Sequence, residues 1–180
     1  RFVRAAHARG IAVFADVVHN HYGPTDLDLW HFDGWSENDL GGIYFYCDGR
    51  IHTLWGSTRP DYGRPEIRDF IRDQVQMFTD EYRLDGFRWD SVYHILHTDQ
   101  GPNPQGLELL HDINAGMERT RPHVLRIAED HAFDHDIGFQ AQWDVGHRWA
   151  LFQQLATARD PERDMDTVAG TLTDWPGFHR

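Results

Sequence analysis

Apolar residues along the chain follow two spacings in turn. Residues 11–18 (IAVFADVV) form a near-continuous apolar run of strand length, which is typical of a strand buried on both faces of a parallel sheet. Residues 84–90 (LDGFRWD) and 124–128 predict two further strands, and 138–144 predict a fourth.

Helical spacing separates these strands. After Pro65, apolar residues recur every three or four positions as far as Tyr82, and charged residues lie between them. Residues 107–120 predict a second amphipathic helix, and shorter helices are expected over 2–9 and 149–158. Strands that alternate with helices predict an α/β fold, in which parallel strands are joined by right-handed crossovers.

Residues 19–63 show no sustained period and are rich in aromatic side chains. A connection this long within a domain is usually functional. The alternative is a small structural subdomain whose rings form a core of their own, and both interpretations can hold together. Four rings are candidates for the wall of a binding cleft: Tyr22, Trp30, Trp35 and Trp55.

Composition narrows the function classes. The 180 residues carry 17 basic side chains, all arginine, against 29 acidic ones, and a net charge of −12 disfavours nucleic-acid binding. No apolar run approaches the roughly 18 residues of a membrane span, there is no signal-peptide pattern, and a cytoplasmic protein is expected. A single cysteine, Cys47, argues against a disulfide framework or a cysteine zinc site. The chain begins at Arg1 without Met, and we interpret it as a piece of a longer protein.

The same composition suits a sugar ligand. Aspartates outnumber glutamates 22 to 7, and there are 7 Trp and 13 His. Carboxylates accept hydrogen bonds from hydroxyl groups, and flat rings cover the apolar face of a pyranose. The alternative is an acidic surface over an ordinary aromatic core.

Three acids follow three successive predicted strands. Asp16, Asp90 and Glu129 each lie at the C-terminal end of a strand, the edge where parallel α/β folds build their sites. Arg88 is two residues before Asp90 and therefore points to the same side, where it favours a charged carboxylate. One acid held charged and one able to carry a proton is the pair that glycoside hydrolysis uses. The alternative for Arg88 and Asp90 is a structural salt bridge.

His19, Asn20 and His21 come directly after the first strand. Three interpretations stay open for them. His19 and His21 are a possible metal-ligand pair if a later residue completes the site, and His94, His97 and His131 are the candidates. Alternatively, Asn20 and His21 hydrogen-bond a ligand's hydroxyl groups, or the histidines only stabilise the loop.

Three motifs carry a family resemblance. DVVHNH at 16–21, GFRWD at 86–90 and IAED at 127–130 resemble the first three motifs of the α-amylase superfamily, glycoside hydrolase family 13, in order and in placement after strands. Within that family, RPDYGRPEIRDFI at 59–71 and the acidic pair in IAED resemble glucan branching enzymes. HNHYGP at 19–24 is also similar to trehalose-releasing relatives.

The resemblance implies a partial (β/α)8 TIM barrel of about strands three to six, with 19–63 inserted after the first strand present. Residues 1–180 would form part of the catalytic domain, and the rest of the barrel, which takes roughly 250 residues in all, would be supplied by the longer protein.

The resemblance also implies roles for individual residues. Asp90 would be the nucleophile and Glu129 the general acid/base, while Arg88 would position Asp90 and touch the sugar. Asp16 would support the site, and His21 would bind the glucosyl unit. Tyr22 is taken as a further substrate contact.

Three other positions concern a possible calcium ion and the contacts with the sugar. Asn20 and His94 match positions near a structural calcium ion, and no other cofactor is expected. Tyr93 stands where many amylases have a lysine, so the sugar contact made there in amylases is not expected.

One family feature is absent. The family places a His-Asp pair at the end of a later strand, and that Asp stabilises the transition state. Here His111–Asp112 falls within a predicted helix and His135–Asp136 follows Glu129 by six residues. We therefore expect the third catalytic carboxylate outside this chain, and residues 1–180 alone to be inactive.

The expected function is a retaining enzyme acting on α-1,4-linked glucan through a glycosyl-enzyme. A sugar 6-hydroxyl as acceptor gives branching, whereas water gives amylase-type or trehalose-releasing hydrolysis. Two other classes stay open: a metal-dependent barrel hydrolase that uses His19, His21 and Asp90 as ligands, and a noncatalytic glucan binder.

Overall fold

The computed structural model describes residues 1–23, 29–130, 137–143 and 146–173. The chain forms two compact units, Arg1–Gln142 and Trp143–Arg180. The helices and strands, in chain order, are α1 (Phe2–His7), β1 (Phe14–Val17), α2 (Pro65–Asp80), β2 (Gly86–Trp89), α3 (Val92–Leu96), β3 (His97–Thr98), β4 (Gly101–Pro102), α4 (Pro104–Thr120), β5 (Leu125–Glu129), β6 (Ala141–Trp143), α5 (Gly146–Ala156) and α6 (Met165–Thr173).

The main sheet has the strand order β1-β2-β5-β6. β2 pairs in parallel with β1 on one side and with β5 on the other, as the alternation of strands and helices predicts. In this register Asp16 of β1 lies beside Arg88 of β2, and Arg88 lies beside Ile127 of β5. The C-terminal ends of the three strands therefore meet at one edge.

Helix α2 confirms the periodic pattern. Pro65 occupies its first turn, and Ile67, Ile71 and Val75 bury one face in the core. The helix ends after Asp80, two residues before the predicted Tyr82. The predicted helix over 107–120 is α4, which begins three residues earlier, at Pro104.

The first strand differs from its prediction. β1 covers only Phe14–Val17 rather than 11–18, and Ile11, Phe14 and Val18 are exposed instead of buried on both faces. The physical reason is its place in the sheet, because among the described residues β1 pairs only with β2. An apolar run of this kind indicates that the side chains suit burial. It does not show whether a second neighbouring strand is present.

Much of the 19–63 segment packs as a structured subdomain. The side chains of Tyr46 and Tyr62 are fully buried, and Tyr62 Oη donates a hydrogen bond to the His19 carbonyl (2.6 Å). The buried Arg59 guanidinium donates to three backbone carbonyls, those of Arg50, His52 and His97. Both interpretations of the segment therefore hold in part, since most rings form a core while Phe32, Trp35 and Trp55 are exposed.

Elements that carry no long period were not predicted. The five-residue helix α3 and the β3–β4 hairpin both lie between β2 and α4. Within the strand predicted over 138–144, the structure has β6 at 141–143. Asp144 lies outside the described residues. The Trp143–Arg180 unit holds α5 and α6, and α5 confirms a helix in the region predicted over 149–158. Across the described ranges no helix is both long and apolar enough to span a membrane.

Candidate active site

Arg88 joins three carboxylates at the shared edge of the sheet. Its Nη1 lies 2.7 Å from Asp16 Oδ1 and 2.6 Å from Asp90 Oδ1, and its Nη2 lies 2.7 Å from Glu129 Oε2. The side chains of Asp90 and Glu129 are 21% and 24% exposed, whereas that of Asp16 is 60% exposed. Asp90 and Glu129 therefore form the enclosed part of the cluster, and Asp16 forms its solvent-facing side.

The Arg88 guanidinium is held in its charged form. Burial lowers the pKa of Arg88, but hydrogen bonds to Asp16 and Asp90 and the charge of Glu129 outweigh it, so that the net shift is upward. A guanidinium group is permanently charged and has several N–H donors, so it can contact all three carboxylates at once.

Ser91 fixes the loop that follows Asp90. The Asp90 N–H donates to the Val17 carbonyl (2.9 Å), which continues the β1–β2 ladder by one residue. Ser91 then adopts a left-handed conformation (φ 41°), and its N–H donates to Glu129 Oε2 (2.9 Å). Strained backbone of this kind clusters at functional sites. Sequence reasoning missed Ser91, although a serine between a strand and a short helix is a recognisable helix-start signal.

Glu129 keeps one carboxyl oxygen available. Both Arg88 and Ser91 contact Oε2. Within the described ranges Oε1 makes no hydrogen bond. That oxygen is therefore the one able to exchange a proton with a bound ligand.

His21 lies next to the carboxylate cluster with a defined tautomer. Asn20 Oδ1 accepts a hydrogen bond from the His21 backbone N–H (3.1 Å) and lies 3.1 Å from His21 Nδ1, so Nδ1 carries the proton in this contact. Burial lowers the pKa of His21, and the nearby charge of Asp90 partly opposes that shift. A neutral His21 then offers Nε2 as a hydrogen-bond acceptor.

Trp55 provides an aromatic wall beside His21. The two rings stack with centroids 4.6 Å apart at an angle of 10°, and the centroids of the Trp55 and His94 rings lie 5.1 Å apart at an angle of 76°. Trp55 stays 49% exposed, and His94 Nδ1 lies 2.6 Å from Ser91 Oγ. Trp55 is therefore the candidate ring that lies beside His21, and its contact with a bound sugar stays a prediction.

The other three candidate rings have different neighbours. Tyr22 packs edge-on against Phe45 and Phe70, and its Oη lies 3.4 Å from His19 Nδ1. Burial raises the pKa of Tyr22, as expected of a phenol enclosed by apolar rings. Its ring packs against the core and also lines a cavity of about 380 Å³ together with Asp16, and the substrate contact predicted for Tyr22 stays a prediction.

Trp30 and Trp35 also have neighbours of their own. Trp30 packs against His31 and Phe45. The Arg64 guanidinium lies over the Trp35 ring, 5.5 Å from its centroid. Neither ring is placed beside His21 by these contacts.

The possible metal ligands are not brought together. His19 is buried against Trp89, and burial lowers its pKa to about 4, whereas His21 stacks on Trp55. Throughout the described part of the chain, no three His, Cys, Asp or Glu side chains are grouped to hold a metal ion. His131 lies outside the described residues.

A calcium ion at Asn20 and His94 stays a prediction. Asn20 Oδ1, the atom that would ligate it, is already taken up by His21. Both acceptor positions of that oxygen are therefore occupied within the loop.

The two His-Asp pairs are not placed as a third catalytic acid. His111 and Asp112 lie in α4, where Asp112 accepts a hydrogen bond from Arg68 (2.5 Å). His135 and Asp136 lie outside the described residues. The cluster at the sheet edge thus contains three acids and Arg88.

Comparison with known proteins finds relatives by sequence and by fold. No family model matches it. It is 28% identical over 178 residues to the 1,4-alpha-glucan branching enzyme GlgB of Bacillus subtilis (strain 168), covering 91% of this chain and 27% of that protein. It is 28% identical over 196 residues to the 1,4-alpha-glucan-branching enzyme of Dictyostelium discoideum, covering 94% and 28%. The chain thus spans about a quarter of the length of these relatives.

A solved structure shares the fold. The noncanonic maltogenic alpha-amylase AmyB from Thermotoga neapolitana superposes with a TM-score of 0.67 at 17% identity, over 95% of this chain and 36% of that one. The partial (β/α)8 barrel is therefore confirmed. The sequence similarities confirm the resemblance to the α-amylase superfamily and, within it, to glucan branching enzymes.

Proposed function

We propose that this chain supplies two catalytic carboxylates of a retaining 1,4-α-glucan branching enzyme. The observation that carries the proposal is the bridge from Arg88 to Asp90 and Glu129 at the C-terminal ends of neighbouring parallel strands. A single guanidinium that contacts both acids favours the short separation of retaining enzymes, roughly 5–5.5 Å, over the wider one of inverting enzymes.

Each carboxylate has a distinct part in the proposed reaction. Asp90 attacks the anomeric carbon while Glu129 gives its proton to the departing glycosidic oxygen, so that a bond from sugar to Asp90 replaces the bond to the leaving chain. Glu129, now ionised, takes the proton of the incoming hydroxyl group, which attacks the same carbon and releases Asp90. Arg88 holds the Asp90 oxygen in place through both steps.

The surrounding side chains suit a glucosyl unit. Nε2 of neutral His21 can accept a hydrogen bond from a sugar hydroxyl, and the exposed Trp55 ring can cover an apolar sugar face. Asp16 is the most exposed acid of the cluster and can both orient Arg88 and accept from a hydroxyl group.

The acceptor decides between branching and hydrolysis. A sugar 6-hydroxyl in the acceptor position forms an α-1,6 branch, whereas water releases a free chain. The relatives named as branching enzymes support the first outcome. We propose further that the enzyme works in the cytoplasm on glycogen-like or starch-like glucan and needs no cofactor for the chemical step.

The test uses the full-length protein that contains this chain, incubated with amylose. Branch points are counted after debranching and chain-length analysis, and new reducing ends are measured in parallel. Asp90→Asn and Glu129→Gln should each lower turnover by about a thousandfold or more, whereas the exposed variants Asp73→Asn on α2 and Glu81→Gln just after it should leave it unchanged. Added azide should rescue Glu129→Gln and not Asp90→Asn, since azide needs no base to attack the glycosyl-enzyme.

Products separate the alternatives. New reducing ends without new branch points would show that the enzyme hydrolyses the glucan rather than branching it. Full turnover in Asp90→Asn would refute the assignment of the nucleophile.

A further inference from the structure

A second cavity lies between helices α2 and α4, at the other end of the strands from the carboxylate cluster. It has a volume of about 820 Å³ and belongs entirely to the Arg1–Gln142 unit. Arg83 precedes β2 and His123 precedes β5, so the cavity opens where these strands begin. It is therefore separate from the site around Asp90.

The lining of this cavity is basic although the protein has a net charge of −12. Two aspartates, Asp80 and Asp112, are its acidic members. The basic side chains that line it are Arg72, Arg83, Arg119, Arg121 and His123. The local charge is thus the reverse of the charge of the whole chain.

Both aspartates already have arginine partners. Asp80 is held by a two-pronged contact with Arg121 (Nε–Oδ1 2.8 Å and Nη2–Oδ2 2.5 Å), and Asp112 is held by Arg68 (2.5 Å). Arg83 and Arg119 form no ion pair with any residue that the structure describes. Two guanidinium groups therefore remain in the groove without a counter-charge in contact.

Arg83 occupies a strained backbone position. It follows the end of α2 with a φ of 61°, and the next residue closes the turn through a hydrogen bond from the Leu84 N–H to the Phe78 carbonyl (3.1 Å). Glycine is the residue that suits this left-handed position after a helix. An exposed arginine there gains little packing in return, and strain without a packing benefit points to a binding role.

We propose that this groove binds a phosphate group, carried either by a sugar phosphate or by inorganic pyrophosphate. Arginine guanidinium groups bind phosphate oxygens through paired N–H donors, and two of them lining one cavity can hold a dianion. The volume falls within the range of small-molecule sites and leaves room for a sugar beyond the phosphate. The proposal does not depend on the chemistry of Asp90.

Calorimetric titration of the full-length protein at low salt tests the proposal, with glucose 6-phosphate and inorganic pyrophosphate as separate probes. Arg83→Gly should weaken binding about tenfold. Its melting temperature should equal or exceed that of the parent, because glycine relieves the strain. Arg119→Gln should weaken binding similarly. Arg159→Gln, which removes an exposed arginine from the other unit, is the matched control and should change nothing.

Each outcome decides one point. Binding of glucose 6-phosphate alone supports a sugar phosphate as the ligand, and binding of pyrophosphate alone supports an inorganic one. Failure of both probes to bind the parent overturns the proposal. So does binding that stays as tight in Arg83→Gly and Arg119→Gln as in the parent.

Discussion

Replacing Arg88 by alanine tests whether the guanidinium organises the two proposed catalytic acids. The change removes contacts of 2.6 and 2.7 Å to Asp90 and Glu129, and each charge-assisted hydrogen bond is worth about 1.5–3 kcal/mol. The contact with Asp16 adds little, because that side chain is 60% exposed and screened by water. Loss of the two enclosed contacts amounts to roughly 3–6 kcal/mol, or about 10²–10⁴ in rate if the reaction depends on both.

The assay is kcat/KM on amylose for the full-length protein, with thermal melting as a check on folding. Arg88→Lys keeps a positive charge but loses the fork, so it should still fall about a hundredfold below the parent. Arg159→Ala, an exposed arginine paired with Glu162, serves as the control and should retain full activity. If folded Arg88→Ala stays within tenfold of the parent, the guanidinium does not organise the acids.

Three further outcomes are expected. Trp55→Ala should raise KM for glucan about tenfold with kcat nearly unchanged, since the ring offers an apolar platform, and an unchanged KM would remove Trp55 from the site. Burial lowers the pKa of His19 from 6.5 to about 4, so the unfolded state takes up this proton first as the pH falls. This group alone therefore lowers the stability of the fold by about 3 kcal/mol as the pH falls from 6.5 to 4, and denaturant unfolding of His19→Gln should show a shallower loss over this window. Dialysis of the full-length enzyme against a chelator should leave turnover intact, and a loss restored by calcium would establish an ion requirement.

The carboxylate cluster was predictable because its positions follow directly from the register. Asp16 and Arg88 are partners across β1 and β2, and Arg88 and Ile127 are partners across β2 and β5. Once three parallel strands are recognised, acids at their C-terminal ends must converge. This part of the site can therefore be predicted from the local sequence.

Features that depend on tertiary packing could not be predicted in the same way. The spacing of aromatic residues over 19–63 does not distinguish Trp55, which stacks on His21, from Tyr22, which packs into the core. The same holds for the basic groove, whose arginines come from segments about forty residues apart and meet only when α2 packs beside α4. Helix α3 is too short to show a period.

The exposed apolar surface of the chain leads to a last prediction, about residues 1–180 expressed alone. Ile11, Phe14 and Val18 are exposed near the open edge of β1, and α5 exposes Trp149, Phe152 and Leu155. An unpaired strand edge flanked by apolar side chains favours association between chains. We therefore expect the isolated chain to aggregate or to bind a hydrophobic dye, and to show no turnover on glycogen. Size-exclusion chromatography, dye fluorescence and branching assays measure this directly. A monomer that melts cooperatively and branches amylose would show that these surfaces need no cover and that Asp90 and Glu129 suffice without a third acid.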